Sequence, residues 1–283
     1  LLPPYVLKAD GLAAGKGVAI CDEIEDAVNS LDEFFEGKFG AAGNTVVIEE
    51  YLHGIELSVF ILTDGKSYVV LPEAKDYKRI GENDTGPNTG GMGSVSPVPF
   101  ATKEFMKRVE ERIINPTIQG LITEGIDYKG FIFAGLMNVN GDPYVIEYNA
   151  RLGDPETQVV LPRLKTDFLE LLVLASKEKL SDVKVEFHPF TATAVILVSK
   201  GYPNTYEKGF AIEGIEPKDD TLTFHAGTKF ESNGETVTSG GRVLASVGMG
   251  SSIDDALANS YKNAKSINYQ GKIFRTDIGK DLL

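Results

Sequence analysis

The side chains best suited to chemistry lie in the stretch Asp142-Pro-Tyr-Val-Ile-Glu-Tyr-Asn-Ala-Arg-Leu-Gly-Asp-Pro-Glu156. An Asn140-Gly141 turn followed by Tyr, Val and Ile predicts a strand. Side chains alternate along a strand, so Glu147, Asn149 and Arg151 share one face if it runs that far. A carboxylate, an amide oxygen and a guanidinium suit a magnesium-phosphate site: hard oxygens for the metal, a fork of donors for anionic oxygens. The plain alternative is an exposed strand face of ordinary polar residues. The next turn weighs against it, because Gly153 and Pro155 fix a bend that holds Asp154 and Glu156 beside the same face.

Three further stretches carry candidate groups. Asp10-Gly-Leu-Ala-Ala-Gly-Lys-Gly17 lies between two short strand patterns. Its small residues let backbone N–H groups approach a phosphate, and Lys16 adds a point charge. The spacing is not that of a P-loop, and a glycine-rich hairpin flap over phosphates fits better. The alternative is a mobile surface hairpin with solvated lysines. In 45–58, two strands flank a bend at 52–54, whose free backbone groups could pair with an adenine edge while Glu56 accepts from ribose hydroxyls. A plain β-hairpin with surface glutamates is the alternative, and His53 reads as a solvated loop residue. Residues 73–99 read as a long, irregular, polar loop. Such loops are usually functional or disordered. Its glycines and the cluster Asp76, Lys78 and Arg79 suggest a closing substrate loop.

These groups need a scaffold. At 283 residues and 42% hydrophobic, the chain can bury one or two sizeable cores. The net charge of -13 argues against a nucleic-acid or anionic-membrane partner. ATP stays compatible, since local Lys and Arg residues and a metal set the field at a site. The single cysteine, Cys21, excludes an internal disulfide, fits a reducing compartment and reads as a small core residue. No apolar run approaches a membrane span, and no signal-peptide pattern is present. The first residue is Leu, and the chain opens almost directly in a motif, so a missing N-terminal piece is expected.

Strands are predicted at 5–9 and 18–21. A helix follows at 22–35, with Asp22 as N-cap and a core stripe of Ile24, Ala27, Val28, Leu31, Phe34 and Phe35. Strands 57–63 and 67–72 pair across Asp64-Gly65. A helical pattern over 102–124 is interrupted near Pro116, and strand 131–139 pairs with 143–149. Helices follow at 156–162 and 167–179, the latter with a buried run over 168–174. A boundary falls at 184–189. Beyond it come strands 191–198, 222–226 and 242–248, and a helix over 253–267 capped by Ser252 with Asp255. His188 and His225 lack companion ligands and read as structural.

Four segments together resemble the ATP-grasp superfamily, and within it the phosphoribosylamine–glycine ligase family. They are Lys8-Ala-Asp-Gly-Leu-Ala-Ala-Gly-Lys-Gly-Val18, Glu49-Glu-Tyr-Leu-His-Gly-Ile-Glu56, Gly86-Pro-Asn-Thr-Gly-Gly-Met-Gly93 and Arg151-Leu-Gly-Asp-Pro-Glu-Thr-Gln158. The tail Phe274-Arg-Thr-Asp-Ile-Gly279 resembles the family's end. The resemblance implies an α+β fold: an ATP-grasp small lobe (1–66), a large lobe with the metal and substrate site (67–187), and a small β-rich C-terminal domain (188–283).

The resemblance also implies a reaction. ATP, glycine and 5-phosphoribosylamine would give glycinamide ribonucleotide, ADP and phosphate by way of a glycyl phosphate. Lys8 and Lys16 would touch ATP phosphates. Glu49, Glu50, Tyr51 and Leu52 would frame the adenine and Glu56 the ribose. Glu147 and Asn149 would hold Mg²⁺ or Mn²⁺. Arg151, with Lys16, would be catalytic. Substrate would meet Asp76, Lys78, Arg79, Asn88, Thr89, Gly90, Gly91, Met92, Arg151, Gly153, Asp154 and Glu156. A cytoplasmic monomer without nucleic-acid or membrane partners would follow.

The sequence departs from the family in three places. Leu152 stands where members often have Phe, and Tyr77 where they often have His, which leaves that position without an assigned role. Nothing matches the family's opening Rossmann-like domain with its Gly-Gly-Arg-Glu-His signature. The competing readings are another ATP-grasp carboxylate–amine ligase and a nucleotide-binding fragment without turnover.

Overall fold

A computed structural model describes residues 1–11, 13 and 17–283. Lys16, expected on a flap over phosphates, lies outside the described residues. The chain divides into two compact units, Leu1–Gly54 and Ile55–Leu283.

The first unit is a three-stranded antiparallel sheet backed by a helix. Strands β1 (Tyr5–Ala9), β2 (Val18–Cys21) and β3 (Val46–Glu50) take the order β2-β1-β3. Alternation sends Leu7 and Cys21 inward to Ala27 of helix α1 (Ile24–Glu33) and to Phe34 just beyond it. The helix starts later than the sequence pattern suggests. Glu23 occupies the N-cap without a side-chain bond, so Asp22 does not cap it. The expected core stripe is also only half right: Ala27 and Phe34 are buried, while Ile24, Val28 and Phe35 are exposed. A three-stranded sheet covers only a narrow strip of a helix, and the rest of the stripe stays outside it.

The second unit is built on two sheets. Strands β4 (Ile55–Thr63) and β5 (Tyr68–Val70) form the expected hairpin, whose turn Asp64 caps through the amides of Lys66 and Ser67. After β6 (Lys75–Asp76), β7 (Arg79–Gly81), β8 (Thr85–Asn88) and β9 (Gly93–Ser96) comes a long helical run. It comprises α2 (Lys103–Val109), a π-helical turn over Glu110–Ile114 and α3 (Asn115–Thr123). The interruption expected at Pro116 is thus a π turn just before it. Proline has no N–H to give and its ring crowds the carbonyl four residues back, so the ladder loosens there without breaking. Strands β10 (Gly130–Val139) and β11 (Asp142–Asn149) meet at Asn140-Gly141, both residues at positive φ as a tight hairpin turn requires.

The first of these sheets runs β11-β10-β4-β5. On one face Leu57, Val59, Ile61, Ile132 and Ala134 pack against Phe105, Val109, Ile113 and Ile118 of the helical run. On the other, Phe60 and Phe133 meet Val159 and Val160 of the short helix α4 (Thr157–Val160), and Ala192 and Ala194 of the second sheet. Helix α5 (Phe168–Ser176) covers Leu62, but only Leu171 and Ala175 are buried in it; Leu169 and Val173 are exposed, contrary to the run expected to be buried.

The second sheet adds β12 (Thr191–Ser199), β13 (Thr221–His225) and β16 (Arg242–Gly250), in the order β13-β16-β12-β9-β6, with β17 (Lys272–Ile273) also on β12. A separate hairpin pairs β14 (Thr228–Phe230) with β15 (Thr236–Thr238). Helix α6 (Ile253–Ser266) packs on β16 and β12, and Ser252 caps it by accepting from the Asp255 amide, as expected.

The two compact units cut the chain differently from the expected lobes. The first division falls after Gly54, because β4 is a central strand of the four-stranded sheet and belongs with residues that follow it. The residues on either side of 187 lie in one compact unit, because β6 and β9 share a sheet with β12 and β16. The stretch 73–99 is likewise not a free loop: its two ends are strands of that sheet. No helix among the described residues is long and apolar enough to cross a membrane.

Candidate active site

In the first unit, β1 pairs with β3 in a register that sets Lys8 opposite Val47 and Val6 opposite Glu49. Lys8 and Glu49 are therefore diagonal neighbours on one face, and the ammonium meets the carboxylate at 2.6 Å. Val18 and Val47, the residues opposite Lys8, are exposed on the same face, and so is Ile20. A half-buried cation on an open apolar sheet face is an arrangement that suits a flat heteroaromatic ring with an anionic tail. Glu50 is exposed. Tyr51 sits edge-on to His53 at 4.7 Å, and Leu52 is half-buried. The strands flanking this bend lie in different sheets, so the plain-hairpin alternative does not hold.

In the second unit, the rows of the four-stranded sheet align the candidate groups. Glu147 lies opposite Gly135, which lies opposite Ser58; Asn149 lies opposite Phe133, which lies opposite Phe60. The register slips by one between Gly135 and Leu136, leaving Ile146 as the extra residue of a bulge, a device that re-aims neighbouring side chains. Glu147 and Asn149 do share a face, and the Asn149 amide donates to the Glu147 carboxylate at 3.1 Å. Among the described residues no group of three His, Cys, Asp or Glu side chains is arranged to hold a metal. The pair nonetheless fits Mg²⁺, which is commonly held by one or two protein oxygens, with waters and phosphates completing its shell.

Next to this row is a knot of charge. Lys78 pairs with Glu56 and, at 3.1 Å, with Asp76. Glu156 is 3% exposed and accepts from the Ser58 hydroxyl at 2.8 Å. Burial, and then the negative charge of Asp76, push its carboxyl up to about 7, against the pull of the Ser58 hydrogen bond and of Lys78. Gly153 lies against that carboxylate, and a Cβ there would come within 2.7 Å of it, which explains the glycine in the turn. Arg151 is exposed, with its guanidinium folded back on the Leu152 carbonyl at 2.9 Å.

The loop 88–92 and the turn 151–156 are brought together. Gly91, at φ +109°, has no room for a Cβ, which would sit 2.3 Å from the Pro155 ring. Thr89 donates from its amide and its hydroxyl to the Lys78 carbonyl, at 2.8 and 2.7 Å. Two candidates do not face this site through their side chains. Met92 is fully buried in the core with Val95 and Ile278, and Arg79 donates to the Gly86 carbonyl at 2.7 Å. Asn88 is exposed at the end of β8.

Sequence reasoning missed three residues. Arg242 of β16 donates to the Gly90 carbonyl and the Asp154 carboxylate, both at 2.5 Å. Tyr202 accepts from the Gly90 amide through its hydroxyl at 2.9 Å. Ser58 anchors Glu156. The first two come from residues beyond 187, and no local spacing links them to the loop they hold.

Comparisons with known proteins bear on the family and the fold. The ATP-grasp (A) domain of phosphoribosylglycinamide synthetase matches residues 2–157, and the C domain of the same enzyme matches 192–281. A phosphoribosylamine–glycine ligase of Caldanaerobacter subterraneus subsp. tengcongensis is 45% identical over 97% of this chain and 66% of its own length. One from Clostridium acetobutylicum is 46% identical over 98% of this chain and 66% of its own length. The crystal structure of a phosphoribosylamine–glycine ligase from Thermotoga maritima superimposes with a TM-score of 0.87 at 39% identity, covering 97% of this chain and 68% of that one. This chain thus spans just under two thirds of the length of the curated relatives it matches. With an α+β ATP-grasp architecture and both domain matches in order, the chain belongs to the phosphoribosylglycinamide synthetase family.

Proposed function

We propose that this chain handles ATP and glycine in the ATP-dependent ligation of glycine to 5-phosphoribosylamine. A glycine carboxylate oxygen attacks the γ-phosphorus of ATP, and ADP leaves. The amine of phosphoribosylamine then attacks the acyl carbon of glycyl phosphate, and phosphate leaves with the C–O bond electrons.

The observation that carries this reading is one sheet face. The oxygen pair Glu147–Asn149 lies beside the Glu56–Lys78–Asp76 ion pairs and buried Glu156. In the first unit, Lys8 meets the nucleotide, with Glu49–Leu52 framing the adenine; Lys16 serves the phosphates. Glu56 meets the ribose. A divalent cation, Mg²⁺ or Mn²⁺, held by Glu147 and Asn149 would screen phosphate charge. Arg151, on the exposed lip of its turn, offers a guanidinium to the charge that builds on the phosphorylated carboxylate. Asp76 and Lys78, in a fixed ion pair, orient the glycine ammonium and carboxylate.

The test is trapping of the acyl phosphate. Hydroxylamine replaces the sugar amine, and amino-acid hydroxamate and ADP are measured with a panel of amino acids. Glycine hydroxamate formed in step with ADP supports the reading. Hydroxamate from another acid but not glycine points to another carboxylate–amine ligase. Mg-ATP binding with no ADP release points to a nucleotide-binding module.

A further inference from the structure

Residues 75–79 alternate like any extended segment, and the two sides do different things. Asp76 and Lys78 turn toward Glu56 and Glu156. Lys75 and Tyr77 turn the other way, to the end of the chain. The Tyr77 hydroxyl donates to the Asp281 carboxylate at 2.5 Å, and Lys75 pairs with the other oxygen of that carboxylate. The Tyr77 ring is buried with two cations near it, the Lys75 ammonium 4.8 Å and the Arg275 guanidinium 5.4 Å from its centroid.

Arg275 extends the same grip. Its side chain is 3% exposed. It donates to the Arg79 carbonyl at 3.0 Å and to Asp84 at 2.7 Å, and it is held by Asp277 through two more bonds of 2.8 and 2.7 Å. Asp277 accepts from the Asn83 amide at 2.8 Å, and Thr276 donates to Glu82 at 2.5 Å. Ile278 is fully buried beside Tyr77 and Met92, which roots the segment in the core. A surface tail that only needed to be packed away would not require a buried guanidinium that Asp277 orients onto the Arg79 carbonyl and Asp84 of one hairpin.

We propose that residues 275–281 form a positioning strap that fixes Asp76 and Lys78 for substrate, with Tyr77 and Asp281 as its fastening pair. The strap follows from the contacts alone; what Asp76 and Lys78 are fixed for rests on the ligase reading. It gives Tyr77 a role. A phenol reaches a carboxylate while its ring meets two cations, so both ends of the side chain are used.

The test uses Tyr77→Phe, which removes the fastening bond, and Asp281→Asn, which removes the charge paired with Lys75, in the full chain and with little change of shape. Amide exchange, read peptide by peptide, should quicken by about tenfold over 75–79 and stay unchanged in β12. In glycine-dependent ADP release, the KM for glycine should rise by about tenfold while the KM for ATP stays within about twofold. Unchanged exchange over 75–79 overturns the strap. Faster exchange with an unaltered KM for glycine overturns its positioning role and leaves a structural fastening only. Absence of glycine-dependent turnover in the unmodified chain would count against the ligase reading, and the exchange result would still decide the strap.

Discussion

Arg242 and Asp154 meet at 2.5 Å although 88 positions separate them in sequence. The same guanidinium reaches the carbonyls of Gly90 at 2.5 Å and Asp154 at 3.2 Å, so one planar fork joins the glycine-rich loop to the Leu152–Glu156 turn. Arg242→Ala should destabilise the chain by about 1–3 kcal/mol, the usual range for hydrogen bonds to charged groups. It should lower glycine-dependent kcat/KM by roughly 10–100-fold, since small displacements of positioning groups are costly. Arg242→Lys should recover little, because an ammonium cannot hold three acceptors in a plane. Urea unfolding and ADP release check both figures, and a variant with normal values for each would show that the clamp is immaterial.

Glu156 makes stability depend on pH in an unusual direction. Burial and Asp76 raise its carboxyl from 4.5 to about 7, so the folded chain binds this proton more tightly than the unfolded one. Its contribution is therefore full below about pH 4.5 and is lost as pH rises toward 7, at up to about 1.4 kcal/mol per pH unit. Glu156→Gln keeps an oxygen to accept from Ser58 and removes the titration. The variant should gain stability relative to its parent between pH 5 and pH 8. Denaturant midpoints at the two pH values measure this, and parallel curves for the two proteins would refute it.

Much of this site is legible in local sequence because its parts are local. Alternation places Glu147 and Asn149 together, and an Asn-Gly pair at positive φ announces the hairpin that presents them. Gly153 and Pro155 mark a turn that needs a glycine. What could not be read was long-range. Arg242 and Tyr202 contribute through sheet order, which sets β12 between β9 and β16, and sheet order leaves no periodic trace. The same cause hid the nature of 73–99. Its polar composition resembles a free loop, but two of its short strands pair with each other and two join the larger sheet. The apolar stripe of α1 misled in the opposite direction: periodicity reports which face is apolar, not whether anything covers it.

Lys8 tests the first unit by itself. It pairs with Glu49 at 2.6 Å on a face where Val18, Ile20 and Val47 are open to solvent. Lys8→Met keeps the apolar stem and removes the charge. The pair is partly exposed, so the loss of stability should stay under about 1 kcal/mol. The dissociation constant for Mg-ATP should rise by about tenfold or more, as expected when a point charge on a phosphate is lost. Calorimetric titration reads the constant directly. An unchanged value would remove Lys8 from the nucleotide site.

Glu147→Gln separates metal binding from folding. Glu147 is exposed, and the Asn149 amide donates to it at 3.1 Å. Glutamine keeps the length and an oxygen to accept that bond, so stability should change by no more than about 0.5 kcal/mol. What it loses is the negative charge that the proposed cation would face, on which a hard metal ion depends. Glycine-dependent ADP release should fall by about two orders of magnitude and recover in part as Mg²⁺ is raised, since weaker binding is offset by mass action. Tyr148→Phe is the matched control. Tyr148 points to the opposite face of the same strand, where its hydroxyl meets that of Thr117 at 2.8 Å, so its loss should leave the magnesium dependence alone. Turnover is measured against Mg²⁺ concentration for the three proteins side by side. If Glu147→Gln follows the parent curve at low Mg²⁺, the carboxylate is not a metal ligand and the oxygen pair serves another end.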